Sequence, residues 1–141
     1  MLIQLKNSSV NYDVHPAIRW AEPLLAYAFA RVNKTAMVTS AKDEMHSENS
    51  RHFWKPGDTR PSQAVDLRIR DPQTGLPWFG PILLSEFAEE LTRILNVLAK
   101  NEVGGHFTLQ SEGDHFHLEW NPGGIPANIK GYLFGREVYL A

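Results

Sequence analysis

Cysteine is absent from this sequence of 141 residues, whereas histidine occurs six times. Without thiols the chain cannot form a disulfide, a thiolate zinc site or a cysteine nucleophile. A tight metal site would therefore have to use imidazoles and carboxylates. At this length one core buries roughly two thirds of the surface that the unfolded chain exposes, so partner subunits are not required and we expect a monomer.

The sequence also lacks an excess of one charge and any long hydrophobic run. It has 14 Lys and Arg against 16 Asp and Glu, a formal net charge of -2. This balance argues against nucleic acid or an anionic membrane as the main partner. No apolar stretch approaches the roughly 20 residues needed to cross a bilayer. The N-terminus has no secretory signal pattern, so we expect a protein made in the cytoplasm.

Two segments have the apolar spacing of an α-helix. The first follows His15 and runs to about Asn33, with Pro23 either kinking it or standing in the first turn of a shorter helix. The second is capped by Ser85 and ends at Asn101. Its predicted apolar stripe comprises Phe87, Leu91, Ile94, Leu95 and Leu98.

Short β-branched or alternating segments predict the strands. They comprise Thr35–Ser40, Ala64–Arg70, Phe107–Gln110 and His115–Trp120, with a final hairpin around Gly135. The polar stretch from Ala41 to Ser62 reads as a long loop, and such loops are usually functional or disordered. Helices and mostly antiparallel strands are segregated, and no linker divides the chain. We therefore expect a single α+β domain over residues 1–141, with a small sheet and two main helices.

The predicted loop holds the first candidate residues for chemistry. His46 and His52 both lie within it, with Ser50 and Arg51 between them. A lone histidine in a loop is usually no more than a solvated side chain. Two histidines with these polar neighbours are less easily explained in that way, so we keep both as candidates.

Asp66 is the second candidate, because it stands inside an otherwise apolar strand. Aspartate is depleted in strand interiors and needs a cation or a hydrogen-bond network when it is buried. A salt bridge to Arg68 or Arg70 would be the ordinary explanation. A ligand role is the functional alternative.

The most specific candidate is the stretch Asp114-His-Phe-His-Leu-Glu119. Strand alternation places His115, His117 and Glu119 on one face, where two imidazoles about 6 to 7 Å apart can point into one site. Asp114 lies at the preceding turn and can lean toward the same place. A solvated strand face would give the same pattern. A solvated face does not explain why Asp114 precedes the two histidines or why a histidine and Asp66 lie upstream.

Three motifs in this chain resemble the signatures of a known family. Ser50-Arg-His52, Ala64-Val-Asp66-Leu-Arg and Asp114-His-Phe-His117-Leu-Glu are similar to the Ser-x-His, Ala-x-Asp and Asp/Glu-x-x-His or His-x-His signatures of zinc D-alanyl-D-alanine carboxypeptidases. That family has the hedgehog/D,D-peptidase fold and includes dipeptidases, phage endolysins that cut L-alanyl-D-glutamate bonds, and small phage-borne members. The resemblance extends over about residues 15–120.

The resemblance implies a site for each motif. His52, Asp66 and His117 would bind zinc, and Asp114 or His115 would handle the proton. Two histidines and one carboxylate leave the fourth position that a catalytic zinc site needs. The implied reaction is hydrolysis of a peptide bond in peptidoglycan stem peptides, at the cell wall or in the periplasm.

The chain departs from the family pattern in its loop. The 13 residues between His52 and Asp66 form a longer gap than the family has, which makes Asp58 a rival ligand. We prefer Asp66, because a rigid strand holds a ligand better than a Pro- and Gly-containing loop does.

The arginine that many members of the family use to bind a substrate carboxylate is also missing. Lys42, Arg51 or His46 would have to replace it. We expect His46, Ser50 and Arg51 on the substrate side of the site. The long loop and the missing arginine also keep open a catalytically inactive peptidase-like binding or phage structural module. A non-haem iron oxygenase would use the same ligand types, but it usually needs more strands than this sequence offers.

Overall fold

A computed structural model of the chain describes residues 3–42, 60–123, 130–133 and 136–139, the last two ranges as backbone alone. The described residues form two helices and seven strands, so the predicted α+β class is confirmed. The chain divides into two compact units, Met1–Leu67 and Arg68–Ala141. Neither helix within the described ranges has both the length and the hydropathy of a membrane span.

Three strands and one helix make up the first unit. They are β1 (Gln4–Leu5), α1 (Pro16–Ala30), β2 (Met37–Ser40) and β3 (Ala64–Arg68). Strand β2 lies between the other two, parallel to β1 and antiparallel to β3. The predicted strand at Thr35–Ser40 is therefore present in a slightly shorter form.

Helix α1 turns one apolar stripe inward, made of Ala17, Ile18, Ala21, Leu25 and Phe29. It begins at Pro16, where a missing N–H costs nothing because no first-turn amide has an intrahelical partner. Pro23 lies inside the helix, not in the first turn of a shorter one. The helix ends at Ala30, before the predicted end at Asn33, whose φ of 60° is incompatible with a continuing helix.

Strand β3 is buried on both faces over most of its length. Ala64, Val65 and Leu67 have no exposed surface, and Asp66 is only 7% exposed. The first part of this strand is thus enclosed on both sides, and Asp66 is buried among apolar neighbours, as its place in the sequence indicates. The strand also ends at Arg68 instead of Arg70, because Arg70 forms only an isolated bridge with Pro77.

One helix and four strands make up the described part of the second unit. They are α2 (Pro81–Glu102), β4 (His106–Ser111), β5 (His115–Asn121), β6 (Lys130–Leu133) and β7 (Arg136–Tyr139). Strand β4 pairs antiparallel with β5 and parallel with β6, and β6 pairs antiparallel with β7. The β4–β5 pair and the hairpin predicted around Gly135 are both confirmed. Of the five strand pairs named here, three are antiparallel and two are parallel, so the pairing is mixed with an antiparallel majority.

The predicted cap of the second helix is wrong. Helix α2 begins at Pro81 with Gly80 as its N-cap, so Ser85 lies inside the helix. Proline at the first position starts the helix earlier than the serine does, because its φ is already helical. The predicted end at Asn101 falls within one residue of the observed end at Glu102.

The predicted stripe of this helix is also partly wrong. Its buried residues are Leu84, Ala88, Leu91, Thr92, Leu95, Asn96 and Ala99, whereas Leu98 is 44% exposed. Ala88 and Ala99 add little hydrophobic signal to a sequence, yet their small side chains allow close packing. Asn96 fixes this face against β4, because its side chain donates to Phe107 O (2.9 Å) and accepts from Phe107 N (2.6 Å).

Candidate functional site

The β4–β5 hairpin has one apolar and one polar face, as alternation predicted. The apolar face is buried and comprises Phe107, Leu109, Phe116, Leu118 and Trp120. The opposite face, here called the polar hairpin face, comprises Thr108, Gln110, Glu112, His115, His117 and Glu119. Apolar burial on one side thus holds the two histidines and two glutamates on the other side at defined positions.

A tight turn brings Asp114 beside this face. Glu112 N donates to His115 O (2.9 Å), which closes the hairpin around Gly113 and Asp114. Gly113 has a φ of 79°, a left-handed conformation that glycine adopts without steric cost. The turn therefore places the Glu112 and Asp114 side chains on either side of the strand's first residue.

The imidazole of His115 contacts both of these carboxylates. Its Nδ1 lies 2.8 Å from Asp114 Oδ1, and its Nε2 lies 3.1 Å from Glu112 Oε2. An ionised carboxylate only accepts hydrogen bonds, so each ring nitrogen donates to its carboxylate when it carries a proton. The ring is 24% exposed, whereas the Asp114 side chain is 76% exposed. Much of the fixed geometry of Asp114 therefore comes from His115.

The same hydrogen bond controls the charge of Asp114. The bond from His115 lowers the pKa of the Asp114 carboxyl below its ordinary value, and the nearby charges of His115 and Arg70 act in the same direction. Slight burial opposes the shift but does not reverse it. Asp114 is thus a carboxylate at neutral pH, the form that can accept a proton.

His117 has a carboxylate partner of its own. Its Nε2 lies 3.2 Å from Glu119 Oε1, and the two side chains are 16% and 25% exposed. When Nε2 donates to Glu119, Nδ1 carries the lone pair that a metal requires. Histidine ligands in proteins usually donate their second ring nitrogen to a carboxylate or carbonyl in this way. The His117–Glu119 contact has the form expected of an oriented ligand.

Asp66 lies in the first unit, on β3. Its side chain is buried, and its backbone oxygen accepts a hydrogen bond from Thr39 Oγ1 at 3.4 Å. A buried side chain on a strand has a fixed backbone and little space for other rotamers. This rigidity is the property for which Asp66 is preferred over Asp58 as a ligand.

Lys42 is a weaker substrate-binding candidate than the sequence indicates. Its Nζ donates to Asp13 Oδ2 at 2.8 Å, and its side chain is only 4% exposed. The backbone N–H of Lys42 also donates to Asn11 O at 3.0 Å. The ammonium group is therefore engaged within the first unit.

The remaining predicted site residues lie outside the described ranges. These are His46, Ser50, Arg51, His52 and the rival ligand Asp58. Within the described ranges, no three His, Asp or Glu side chains form a group that could hold a metal ion. Since His52 belongs to the predicted ligand set, this observation does not bear on that set.

Sequence reasoning missed two residues of the polar hairpin face. Glu112 contacts His115, and Gln110 stands directly opposite His117 in the strand register. The signal for both was present in the alternation of β4. Reading it requires the exact pairing of the two strands, because a slip of one residue exchanges the faces.

The chain was also compared as a whole with known families, curated proteins and solved structures. No family model, curated protein or solved structure matches this sequence or this fold. The resemblance to the zinc carboxypeptidases is carried by three short motifs and by the chemistry of the residues themselves.

Proposed function

We propose that this chain is a zinc-dependent peptidase that hydrolyses a peptide bond in peptidoglycan stem peptides, of the D,D-carboxypeptidase or L-alanyl-D-glutamate endopeptidase type. The observation that carries the proposal is the polar hairpin face with its turn. There, Asp114 is bound to His115, and His117 is bound to Glu119. The proposed proton acceptor and a proposed metal ligand thus follow one another on one hairpin.

The proposed zinc ligands are His52, Asp66 and His117. The donor set fits the metal, since imidazole nitrogens and a carboxylate oxygen are ordinary zinc ligands and three of them leave a position open. The buried Asp66 carboxylate and the Glu119-bound ring of His117 support the fit. When bound, zinc lowers the pKa of a coordinated water toward about 7 and polarises the scissile carbonyl.

Asp114 is the proposed general base and acid. Its carboxylate takes a proton from the attacking water while the oxygen of that water bonds to the carbonyl carbon. The same proton then passes to the amine nitrogen as the C–N bond breaks, which leaves a carboxylic acid and an amine. His115 keeps Asp114 ionised between turnovers through the hydrogen bond from Nδ1.

The test is release of amino groups from purified cell walls by the full chain supplied with zinc. Asp114→Asn keeps the shape of the side chain but cannot take up a proton, so we expect a loss of about 100-fold or more in rate. Glu89→Gln removes a carboxylate from an exposed position on α2 and serves as the matched control with unchanged activity. A chelator should abolish release by the wild-type chain.

Two results would contradict the proposal. One is equal release by the wild type and by Asp114→Asn. The other is co-sedimentation with cell walls without any release, which would support the inactive binding module instead.

A further inference from the structure

We propose that Glu112 is a positioning residue that acts through His115 on Asp114. Its carboxylate holds the imidazole ring at Nε2, and the ring in turn directs Nδ1 at the Asp114 carboxylate. The catalytic meaning of this relay rests on the proposed function. The relay itself consists of three side chains of one turn, in which Glu112 contacts His115 and His115 contacts Asp114.

Two acceptors fix the ring more strictly than one. A histidine χ2 torsion is broad and roughly two-fold, so the torsion itself does little to select one of the two ring orientations. In the observed arrangement, carboxylates stand 2.8 Å from Nδ1 and 3.1 Å from Nε2. A flip of the ring would present carbon atoms to both carboxylates and would break both hydrogen bonds. Glu112 thus adds a second hydrogen bond that the wrong ring orientation would lose.

The backbone places Glu112 at this position. Glu112 and His115 form the closing pair of the hairpin, and directly opposed residues of antiparallel strands share a face. The left-handed φ of Gly113 lets the chain reverse within two residues. The approach of the Glu112 carboxylate to the ring is therefore built into the turn, although 41% of its side chain is exposed.

The residue that gains from this relay is Asp114. With 76% of its side chain exposed, its carboxylate would otherwise sample several rotamers in water. The hydrogen bond to a fixed imidazole restricts it to one direction. A general base must lie within hydrogen-bond reach of the proton that it takes, so a fixed direction raises the fraction of chains ready to react.

The first measurement is the NMR spectrum of the imidazole nitrogens of His115 in the full chain supplied with zinc. We expect Glu112→Ala to shift the Nε2 resonance and Glu112→Gln to leave it closer to the wild-type value, because the amide oxygen still accepts a hydrogen bond. Glu89→Ala, on the exposed side of α2, should change nothing. An Nε2 resonance that is the same in Glu112→Ala and in the wild type would overturn the proposal, whatever the activity.

The second measurement is steady-state hydrolysis of a stem peptide by the same variants. Glu112→Ala should lower kcat by about 10- to 100-fold with little change in KM, and Glu112→Gln should recover much of the loss. Unfolding curves for each variant separate this effect from loss of fold, and Glu112→Gln serves if the alanine variant does not fold. Unchanged kcat in both variants of an active enzyme would overturn the proposal. A wild-type chain without peptidase activity would instead contradict the proposed function, and the NMR result would still decide whether the relay exists.

Discussion

Gly105 shows how closely single residues are constrained around the hairpin. Its φ is 65°, and a Cβ atom added to it would meet Asn121 O and come within 2.6 Å of Trp120 Nε1. The neighbouring Gly104 has a similar φ of 68°, but nothing lies within 4 Å of an added Cβ. The two glycines thus share a conformation and differ in packing.

Alanine substitution at the two positions should separate these effects. Gly104→Ala places a Cβ atom on a left-handed backbone without a clash, so we expect it to lower the free energy of unfolding by about 1–2 kcal/mol. Gly105→Ala adds a clash with backbone and indole, so we expect a loss of roughly 2–5 kcal/mol. Urea unfolding of both variants measures the difference. Equal losses would show that the structure around Gly105 relaxes freely.

At the scale of elements, α1 depends on an unusual cap. His15 precedes the helix, and its Nδ1 accepts a hydrogen bond from Ala17 N at 3.1 Å. A protonated Nδ1 cannot accept, so the cap exists only with the neutral imidazole. Partial burial lowers the pKa of His15 below 6.5, which agrees with a folded state that favours the neutral ring.

This cap predicts a pH dependence of stability. Because the pKa of His15 is lower in the folded chain, its contribution is complete above about pH 6.5 and is lost as the pH falls through the folded-state pKa. His15→Asn keeps a capping oxygen that does not titrate, so it should reduce the loss of stability between about pH 8 and about pH 5. His15→Ala should cost about 1 kcal/mol at the higher pH. Urea unfolding at both pH values is the measurement, and a wild-type slope in His15→Asn would contradict the role of the cap.

Elements were predictable from sequence where local signals sufficed. Strand β5 follows from alternation, and its predicted bounds differ from the observed His115–Asn121 by one residue. The start and the buried face of helix α2 were not predictable in this way, because the buried face depends on packing against β4 and on the hydrogen bonds between Asn96 and Phe107. Glu112 was missed for the same reason, since its role depends on strand register.

At the scale of the whole molecule, some candidate site residues are known only from sequence motifs, and others also from their contacts in the structure. The three motifs predicted the site residues. The described hairpin shows side-chain contacts for three of these residues, Asp114, His115 and His117. Sequence alone could not supply these contacts, because ring orientation and carboxylate partners arise only when strands pair. The long predicted loop carries the proposed ligand His52, and loop conformation is the property that local patterns specify least.

The most direct test of the account is the zinc content of the purified chain. The proposed ligand set predicts about one zinc ion per wild-type chain and a strong loss of bound zinc in His117→Ala and in His52→Ala. His106→Ala, which removes a half-buried histidine whose Nδ1 lies 3.1 Å from Gly123 O, should retain the wild-type content. A wild-type chain without zinc, or a His117→Ala variant that binds as much zinc as the wild type, would contradict the proposal of a zinc peptidase at its centre.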